Sequence, residues 1–289
     1  MQERTSVRFR ATVHYDGSAF HGWQSQPDQR TVQDALEEAL SGLLSRRVTV
    51  AASGRTDRGV HATGQEVAFP APDRWSAAEL HRAMNAVLPA DIWIEQLRET
   101  SREFHPRFDA RARRYEYFLA SGPDAASPLR AGRVWRLDAV PDPELLLSAA
   151  ARLSGEHSFR AFAKSGQEEL GDVCTIRASR WSATALGDLR YTIVANRFLH
   201  HMVRYLVRTQ VEIATGRRER EELALLLQHD PRVRPPSPAP AEGLYLTGVR
   251  YEDGWNRGPG VPGLTAPGAA DGAAGPEDGA DGLRAEARP

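Results

Sequence analysis

Residues Ser53 to Gln65 read SGRTDRGVHATGQ and place a single carboxylate, Asp57, between Arg55 and Arg58. An arginine within about 4–6 Å would lower the pKa of this carboxyl by roughly 1–3 units. An ionised carboxylate suits a nucleophile better than a general acid, so the stretch is predicted to carry catalytic chemistry. Taken alone, R-T-D is more often a surface salt bridge, and the rest of the chain must decide between the two interpretations.

The segments on either side predict that this stretch is a loop. Val48 to Ala52 is β-branched and apolar, and Glu66 to Phe69 is short and largely apolar, which is typical of two strands. Gly54 and Gly59 permit positive φ angles beside Asp57. A glycine-bounded loop between two strands is therefore expected to present the carboxylate.

The pattern of the whole chain predicts an α+β fold. Strands are indicated at 7–15, 92–94, 115–119, 134–137, 189–196 and 243–251, and helices follow the capping patterns at Thr31, Ser76 and Asp142. A further helix is predicted over Phe198 to Ala214. We expect two α+β domains, residues 1–103 and 104–252. Residues 253–289 are rich in Gly, Ala, Pro and Asp and have few large apolar side chains, so a disordered tail is predicted there.

Composition limits the class of protein. The 289 residues suffice for two domains, the single Cys174 excludes an intramolecular disulfide, and no apolar run approaches the ~20 residues that span a bilayer. Residues 1–10 lack the apolar core of a signal peptide, so a reducing cytoplasm is the expected location. Lys164 is the only lysine, and the arginines that replace it elsewhere favour bidentate phosphate contacts. This composition permits a nucleic-acid partner without requiring one.

The helix predicted over 198–214 carries a basic stripe. Arg197, His201, Arg204 and Arg208 recur at helical spacing on one face, opposite an apolar face. The stripe is either a functional surface or an ordinary solvated face, which is the commoner fate of charged helical residues.

No cofactor signature accompanies the loop. The chain has no G-x-x-x-x-G-K-[ST] loop, no G-x-G-x-x-G after a strand and no Cys/His spacing for zinc. His200 and His201 are adjacent, and because adjacent helical residues point about 100° apart, a structural role is predicted for them rather than a shared metal. His61 is either a proton shuttle or, as is commoner for a loop histidine, a cap of backbone groups. We predict neither a cofactor nor a metal.

Six spaced motifs run through the chain in one order. They are YDGSAFHGWQSQPDQRTV (15–32), GRTDRGVHA (54–62), Asn85 with Leu88-Pro89 and Asp91-Ile92, FHPRFDARARRYEY (104–117), NRFLHHMVR (196–204) and GLYL (243–246). Together they resemble the tRNA pseudouridine synthase A family over nearly all of residues 7–251. Several motifs in a fixed order are highly specific.

The resemblance implies roles for four residues. Asp57 matches the aspartate nucleophile of the superfamily, which attacks either the uracil ring or the ribose C1′. Arg55 is implied as the residue that pairs with Asp57 or fills the space left by the extruded uridine. Tyr115 matches a tyrosine that stacks on the target base, and Arg204 matches an arginine beside the catalytic aspartate.

Four further arginines are candidates for RNA contact. Arg58 follows the aspartate, and Arg113 and Arg114 precede the tyrosine, where they are expected to hold phosphates. Arg208 stands where the family usually has glycine, so it either extends the basic stripe or points to solvent.

The resemblance implies an isomerase that converts uridine to pseudouridine at positions 38, 39 and 40 of the anticodon stem-loop of tRNA, without a cofactor. It also implies a homodimer, and we expect two ferredoxin-like or RRM-like domains whose mostly antiparallel sheets meet at a central basic cleft. Two alternatives come from other classes: an RNA-binding protein without turnover, and a metal-dependent hydrolase that uses Asp57, His61, His200 and His201. Loss of activity in a chelator would favour the hydrolase.

Overall fold

The computed structural model describes residues 6–164, 171–258 and 260–265, and their strands form one continuous sheet. The strands are β1 (Ser6–Tyr15), β2 (Ala51–Ala52), β3 (His61–Pro72), β4 (Ile92–Thr100), β5 (Ala112–Ser121), β6 (Trp135–Leu137), β7 (Gly155–Ser158), β8 (Val173–Ala183), β9 (Leu189–Ala195), β10 (Leu244–Tyr251) and β11 (Gly254–Trp255). The helices are α1 (Val32–Leu44), α2 (Ala77–Val87), α3 (Pro143–Ala151), α4 (Met202–Ala214) and α5 (Glu222–Leu227).

The order of strands joins the two halves of the chain. It is β4-β1-β3-β10-β5-β9-β8-β7, while β2, β6 and β11 pair with β3, β5 and β10 respectively. Among the described strands only β10 with β3 and β6 with β5 are parallel pairs, so the predicted α+β class with a mostly antiparallel sheet is confirmed. Because β10 lies between β3 and β5, the sheet runs unbroken across the predicted boundary at residue 103. The division into two ferredoxin-like or RRM-like domains stays a prediction.

Local sequence determines where the helices begin. The Thr31 side chain accepts a hydrogen bond from the Asp34 amide at the start of α1, and Ser76 with Glu79 forms a reciprocal capping box at α2. Asp142 caps α3, whose first residue is a proline. The predicted helix starts are therefore confirmed at these three positions. Among the described residues, no helix combines the length and apolarity that a bilayer crossing requires.

Two hydrophobic clusters stabilise the sheet. One contains Phe9, Leu36 and Met84 and lies between α1, α2 and the strands of the first half. The other contains Leu146 and Leu206 and lies beneath α3 and α4. Each fully buried side chain of this kind contributes roughly 1.5–3 kcal/mol. Tyr115 on β5 packs against both clusters, so it lies where the two cores meet.

The helix predicted over 198–214 starts four residues later than expected. α4 begins at Met202, because His201 adopts a left-handed backbone conformation with φ 65° and ψ 0°. Residues 198–201 therefore form a turn before the helix, and the start of the predicted basic stripe does not lie on a helical face.

Residues 253–258 and 260–265 pack against the sheet, contrary to the prediction of a disordered tail over 253–289. The Asn256 amide donates to the Val249 carbonyl, and its side chain accepts from the Val249 amide and donates to the Gly64 carbonyl and to Glu66. Val261 and Leu264 are buried in a small cluster with residues of β5 and β10. Asn256 is buried and fully used, so it fastens this segment despite its low apolar content. The predicted disorder of 266–289 lies outside the described residues.

Candidate active site

The loop that carries Asp57 joins β2 to β3 through a tight turn. The Val60 amide donates to the Asp57 carbonyl, and the Trp23 amide donates to the Thr56 carbonyl. Gly59 supplies the positive φ of 77° that this turn needs. Gly22 has a φ of 92°, and a β-carbon there would lie 2.8 Å from the Thr56 carbonyl oxygen. The backbone at residue 22 thus packs so closely against the Asp57 loop that only glycine fits there.

Buried polar groups fix the base of the loop. The Ser53 hydroxyl donates to Gln65 Oε1, and Gln65 Nε2 donates to the Gly54 carbonyl. The hydroxyls of Tyr15 and Thr56 are 2.7 Å apart. Since Gln65 and Ser53 are almost completely buried, these bonds hold the loop in one position relative to the sheet.

Three side chains from one segment surround the Asp57 carboxylate. His200 Nε2 lies 3.4 Å from Oδ1, His201 Nε2 lies 3.3 Å from Oδ2, and Arg204 Nη1 donates to Oδ2 over 3.2 Å. Arg204 is itself anchored, because its Nε donates to the Ala239 carbonyl over 2.7 Å. The Asp57 side chain is 18% exposed, so solvent or a ligand can still reach it.

This environment keeps Asp57 ionised. Burial alone would raise the pKa of the carboxyl, but the hydrogen bond from His200 and the charges of His201 and Arg204 outweigh burial and lower it. Burial also lowers the pKa of His201, and the neighbouring Asp57 offsets this only in part. The site therefore favours the carboxylate form of Asp57 and disfavours the protonated form of His201.

The turn before α4 brings the two histidines together. Because His201 has a left-handed φ, the rings of His200 and His201 lie 4.1 Å apart, and both reach Asp57. The Lys164 amide donates to the His200 carbonyl, which holds the turn from outside. The prediction that the two side chains point about 100° apart on a helix was therefore wrong. Their ring nitrogens and an Asp57 oxygen lie within 4.8 Å of one another, which is close enough for a metal ion.

Tyr115 is a neutral aromatic surface close to Asp57. Its ring meets Phe198 edge-on with centroids 5.1 Å apart. Burial raises the pKa of the phenol, and the nearby Tyr15 and Asp57 raise it further. The phenol therefore stays protonated, and its ring is held in place by the turn that also supplies His200.

The two arginines that flank Asp57 in sequence do not pair with it in the described contacts. Arg55 and Arg58 are both exposed, whereas the cations that face the carboxylate come from the segment 200–204. The expectation that Arg55 pairs with Asp57 is replaced by the observed contact with Arg204. Arg55 and Arg58 remain available on the surface of the loop.

Arg113 and Arg114 donate to protein groups, which counts against the expected phosphate contacts. The Arg113 guanidinium donates to the carbonyls of Ser53, Arg107, Ala110 and Asn196. Arg114 is buried, donates to Thr247 and to the Arg257 carbonyl, and stacks on Trp255. Adjacent strand residues face opposite sides of a sheet, so the two arginines stabilise different faces of β5.

Arg208 and His61 also have defined surroundings. The Arg208 guanidinium lies 4.6 Å from the centre of the Trp135 ring, so it stacks on an aromatic instead of extending a free basic stripe. His61 Nδ1 accepts from the Gly17 amide, and the ring stacks on Tyr245. The prediction that His61 caps backbone groups is confirmed, and its contacts are not with Asp57.

The favoured interpretation did not place the histidines beside Asp57; only the metal-dependent hydrolase alternative grouped Asp57 with His200 and His201. A second signal was that both histidines belong to the same motif as Arg204. Phe198, which positions Tyr115, belongs to that motif too. Belonging to one motif did not reveal that these side chains surround one carboxylate, because their positions depend on the left-handed turn at His201.

Comparison with known proteins gives a consistent result. A family model described as tRNA pseudouridine synthase matches residues 11–109 and 149–252. The tRNA pseudouridine synthase A of Chlorobium luteolum is 40% identical over 245 residues, which is 84% of this chain and 95% of that protein. The protein of that name from Thermotoga neapolitana is 38% identical over 84% of this chain and 99% of its own length. That from Methylobacillus flagellatus is 39% identical over 89% and 96%.

Proposed function

Since this chain belongs to the tRNA pseudouridine synthase family, we propose that it isomerises uridine to pseudouridine in the anticodon stem-loop of tRNA, with Asp57 as the nucleophile. The target uridines are those at positions 38, 39 and 40. The observation that carries this proposal is the ionised Asp57, which is partly exposed, surrounded by His200, His201 and Arg204, and near enough to Tyr115 to raise the pKa of that phenol.

The reaction exchanges one bond of the base for another. The N1–C1′ bond breaks, the C5–C1′ bond forms, the proton on C5 is lost and N1 gains one, so atoms and electrons balance without an oxidant or reductant. Asp57 serves either by adding to the uracil ring or by attacking C1′, and in both cases it frees the base to rotate. The surrounding donors keep the carboxylate deprotonated, which both routes require.

The uridine must leave its stack to reach Asp57. Unstacking costs a few kcal/mol, and stacking on the neutral Tyr115 ring offsets part of it. Phe198 lies perpendicular to the Tyr115 ring, and we assign the partly exposed Tyr115 ring to the base. The exposed Arg55 and Arg58 are on the same loop as Asp57, and we assign them to the RNA around the extruded base.

Arg204 has a role in organising the site. Its Nε is fixed on the Ala239 carbonyl, so Nη1 is presented to Asp57 in one orientation. The fixed guanidinium stabilises the negative charge on Asp57 before the carboxylate attacks uridine and again when it is released from the product. These groups suffice for the chemistry without a cofactor, and we propose that the enzyme uses none.

We further propose a homodimer, as the family resemblance implies, and a cytoplasmic location. The buried free thiol of Cys174 fits a reducing compartment, where tRNA is also found.

The proposal is tested with three tRNA transcripts that each carry a single uridine at position 38, 39 or 40 of the anticodon arm. Wild type should form pseudouridine in each, and Asp57→Asn, which keeps the size of the side chain, should bind them without forming product. Tyr115→Phe should retain most of the activity, because the ring and not the hydroxyl provides the stacking surface. Pseudouridine elsewhere in tRNA, with none in the anticodon arm, would refute the proposed positions while leaving the reaction type intact.

A further inference from the structure

Asp57 and the two histidines beside it have ligand atoms close enough together to bind one metal ion. Oδ1 lies 3.4 Å from His200 Nε2, and Oδ2 lies 3.3 Å from His201 Nε2. Zinc binds imidazole nitrogen and carboxylate oxygen at about 2.0–2.2 Å in a tetrahedron, which separates neighbouring ligand atoms by roughly 3.3–3.6 Å. The Oδ1–His200 separation therefore matches one edge of such a tetrahedron, and one nitrogen of each ring and one Asp57 oxygen all lie within 4.8 Å of one another.

The chemistry of the donors selects the kind of ion. Two imidazoles and one carboxylate suit Zn²⁺, Co²⁺, Ni²⁺ and Cu²⁺, whereas Mg²⁺ and Ca²⁺ prefer oxygen ligands. Three protein ligands leave a fourth position open to water. The left-handed turn at His201 holds both rings towards Asp57, so the site is organised before an ion arrives.

The positive charge nearby constrains how the ion binds. Arg204 donates to Oδ2, but its guanidinium has no contact with Oδ1 among the described bonds. An ion bound through Oδ1 leaves Oδ2 with Arg204, which then acts as an outer partner that orients the ligating carboxylate. Both imidazoles must present an unprotonated Nε2, so each ring carries its proton on Nδ1 when metal is bound.

We propose that Asp57, His200 and His201 bind a divalent transition-metal ion of the Zn²⁺ class, and that this ion inhibits the enzyme by occupying its nucleophile. A carboxylate oxygen that ligates zinc is not available to attack uridine, and the ion fills the space that the base must enter. Metal and RNA therefore compete for one site. The inhibitory consequence rests on the proposed function, whereas the binding of metal does not.

Direct binding is measured with Co²⁺, because four-coordinate Co²⁺ with nitrogen and oxygen ligands gives an intense visible absorption band. The full chain is titrated with Co²⁺ as wild type, His200→Gln and His201→Asn; asparagine tolerates the left-handed φ at position 201. We expect the band in wild type and a dissociation constant raised at least about tenfold in each variant, since even outer-shell changes cost roughly 10–100-fold. His157→Gln, whose imidazole contacts the Ser154 carbonyl, is the matched control and should bind like wild type.

Inhibition is measured as pseudouridine formation in metal-free buffer with added Zn²⁺, followed by EDTA. We expect Zn²⁺ to suppress product in wild type, EDTA to restore it, and excess RNA to raise the Zn²⁺ concentration needed. A cobalt band unchanged in both histidine variants, or no band in wild type, would overturn the site. Cobalt binding without zinc inhibition would overturn the competition. Absence of product in metal-free buffer counts against the proposed function alone, because the cobalt spectrum still tests the site.

Discussion

Replacing Arg204 with glutamine should lower kcat/KM for pseudouridine formation by roughly 10–30-fold. Arg204 makes one charge-assisted hydrogen bond to Asp57 Oδ2 over 3.2 Å. A bond of this kind is worth about 1.5–3 kcal/mol. His200 and His201 still contact the carboxylate in the variant, so we take the lower part of that range, about 1.5–2 kcal/mol. At 1.36 kcal/mol per tenfold in rate, this converts to the stated loss.

The same substitution should also reduce stability. The Ala239 carbonyl belongs to a fully buried residue and loses the donor that Arg204 Nε supplies. We expect the free energy of unfolding to fall by roughly 1–2 kcal/mol, measured by urea denaturation. Arg204→Lys keeps the charge but not the fixed fork of donors, and it should recover only part of kcat/KM.

The assay is single-turnover conversion of an anticodon stem-loop RNA, with RNA affinity measured separately. Arg208→Gln is the matched control, since Arg208 lies one helical turn further along α4 and stacks on Trp135 instead of contacting Asp57. An Arg204→Gln enzyme within twofold of wild type, or an equal loss in Arg208→Gln, would refute the role assigned to Arg204.

Three further predictions concern stability. Arg113→Ala should lower the free energy of unfolding by roughly 2–4 kcal/mol in urea, because four backbone carbonyls lose their donor; a loss of RNA affinity at unchanged stability would contradict this. Asn256→Ala should let trypsin cleave the chain after Arg257 faster, because the amide that fastens this segment is gone; wild-type cleavage rates would contradict this. Burial lowers the pKa of His201 in the folded protein, so folding favours the neutral imidazole. The free energy of unfolding should therefore fall as the pH drops below about 6.5 towards that lower pKa. The melting temperature of His201→Asn should fall less than that of wild type between pH 7.5 and 5.5.

Local chemistry made part of the fold predictable. The helix starts at Thr31, Ser76 and Asp142 depend on side chains within three residues of the cap, so sequence alone reveals them. The strand at 7–15 is similarly evident from its alternation of apolar and polar residues, although Arg10 and Thr12 on the polar face are also buried.

Long-range contacts made the rest of the site unpredictable from local residue patterns, and only the family resemblance placed Arg204 beside Asp57. Asp57 is separated from Arg204 by 147 positions in the chain, and its apparent partners in sequence, Arg55 and Arg58, are exposed. The left-handed conformation of His201 turns both histidines towards Asp57. Composition does not predict that conformation.

The same limit explains the errors on β5 and the tail. Arg113 and Arg114 were expected to hold phosphates because of their charge, but their carbonyl partners come from remote segments. Asn256 anchors a segment of low apolar content through hydrogen bonds to residues 64 and 66, nearly two hundred positions earlier. Composition predicts whether a segment has enough apolar residues to be buried, but it does not predict that one buried polar side chain will hold the segment by hydrogen bonds.

The claim that Asp57 is the nucleophile of a cofactor-independent isomerase is tested most directly with an unmodified anticodon stem-loop RNA in EDTA. Pseudouridine formation and RNA affinity are measured together for wild type and Asp57→Ala, and a thermal melt verifies that the variant is folded. The account predicts that wild type converts uridine in EDTA, while Asp57→Ala binds the RNA and forms no product. Wild type that binds but leaves every uridine unchanged, or an Asp57→Ala variant that still forms pseudouridine, would contradict it.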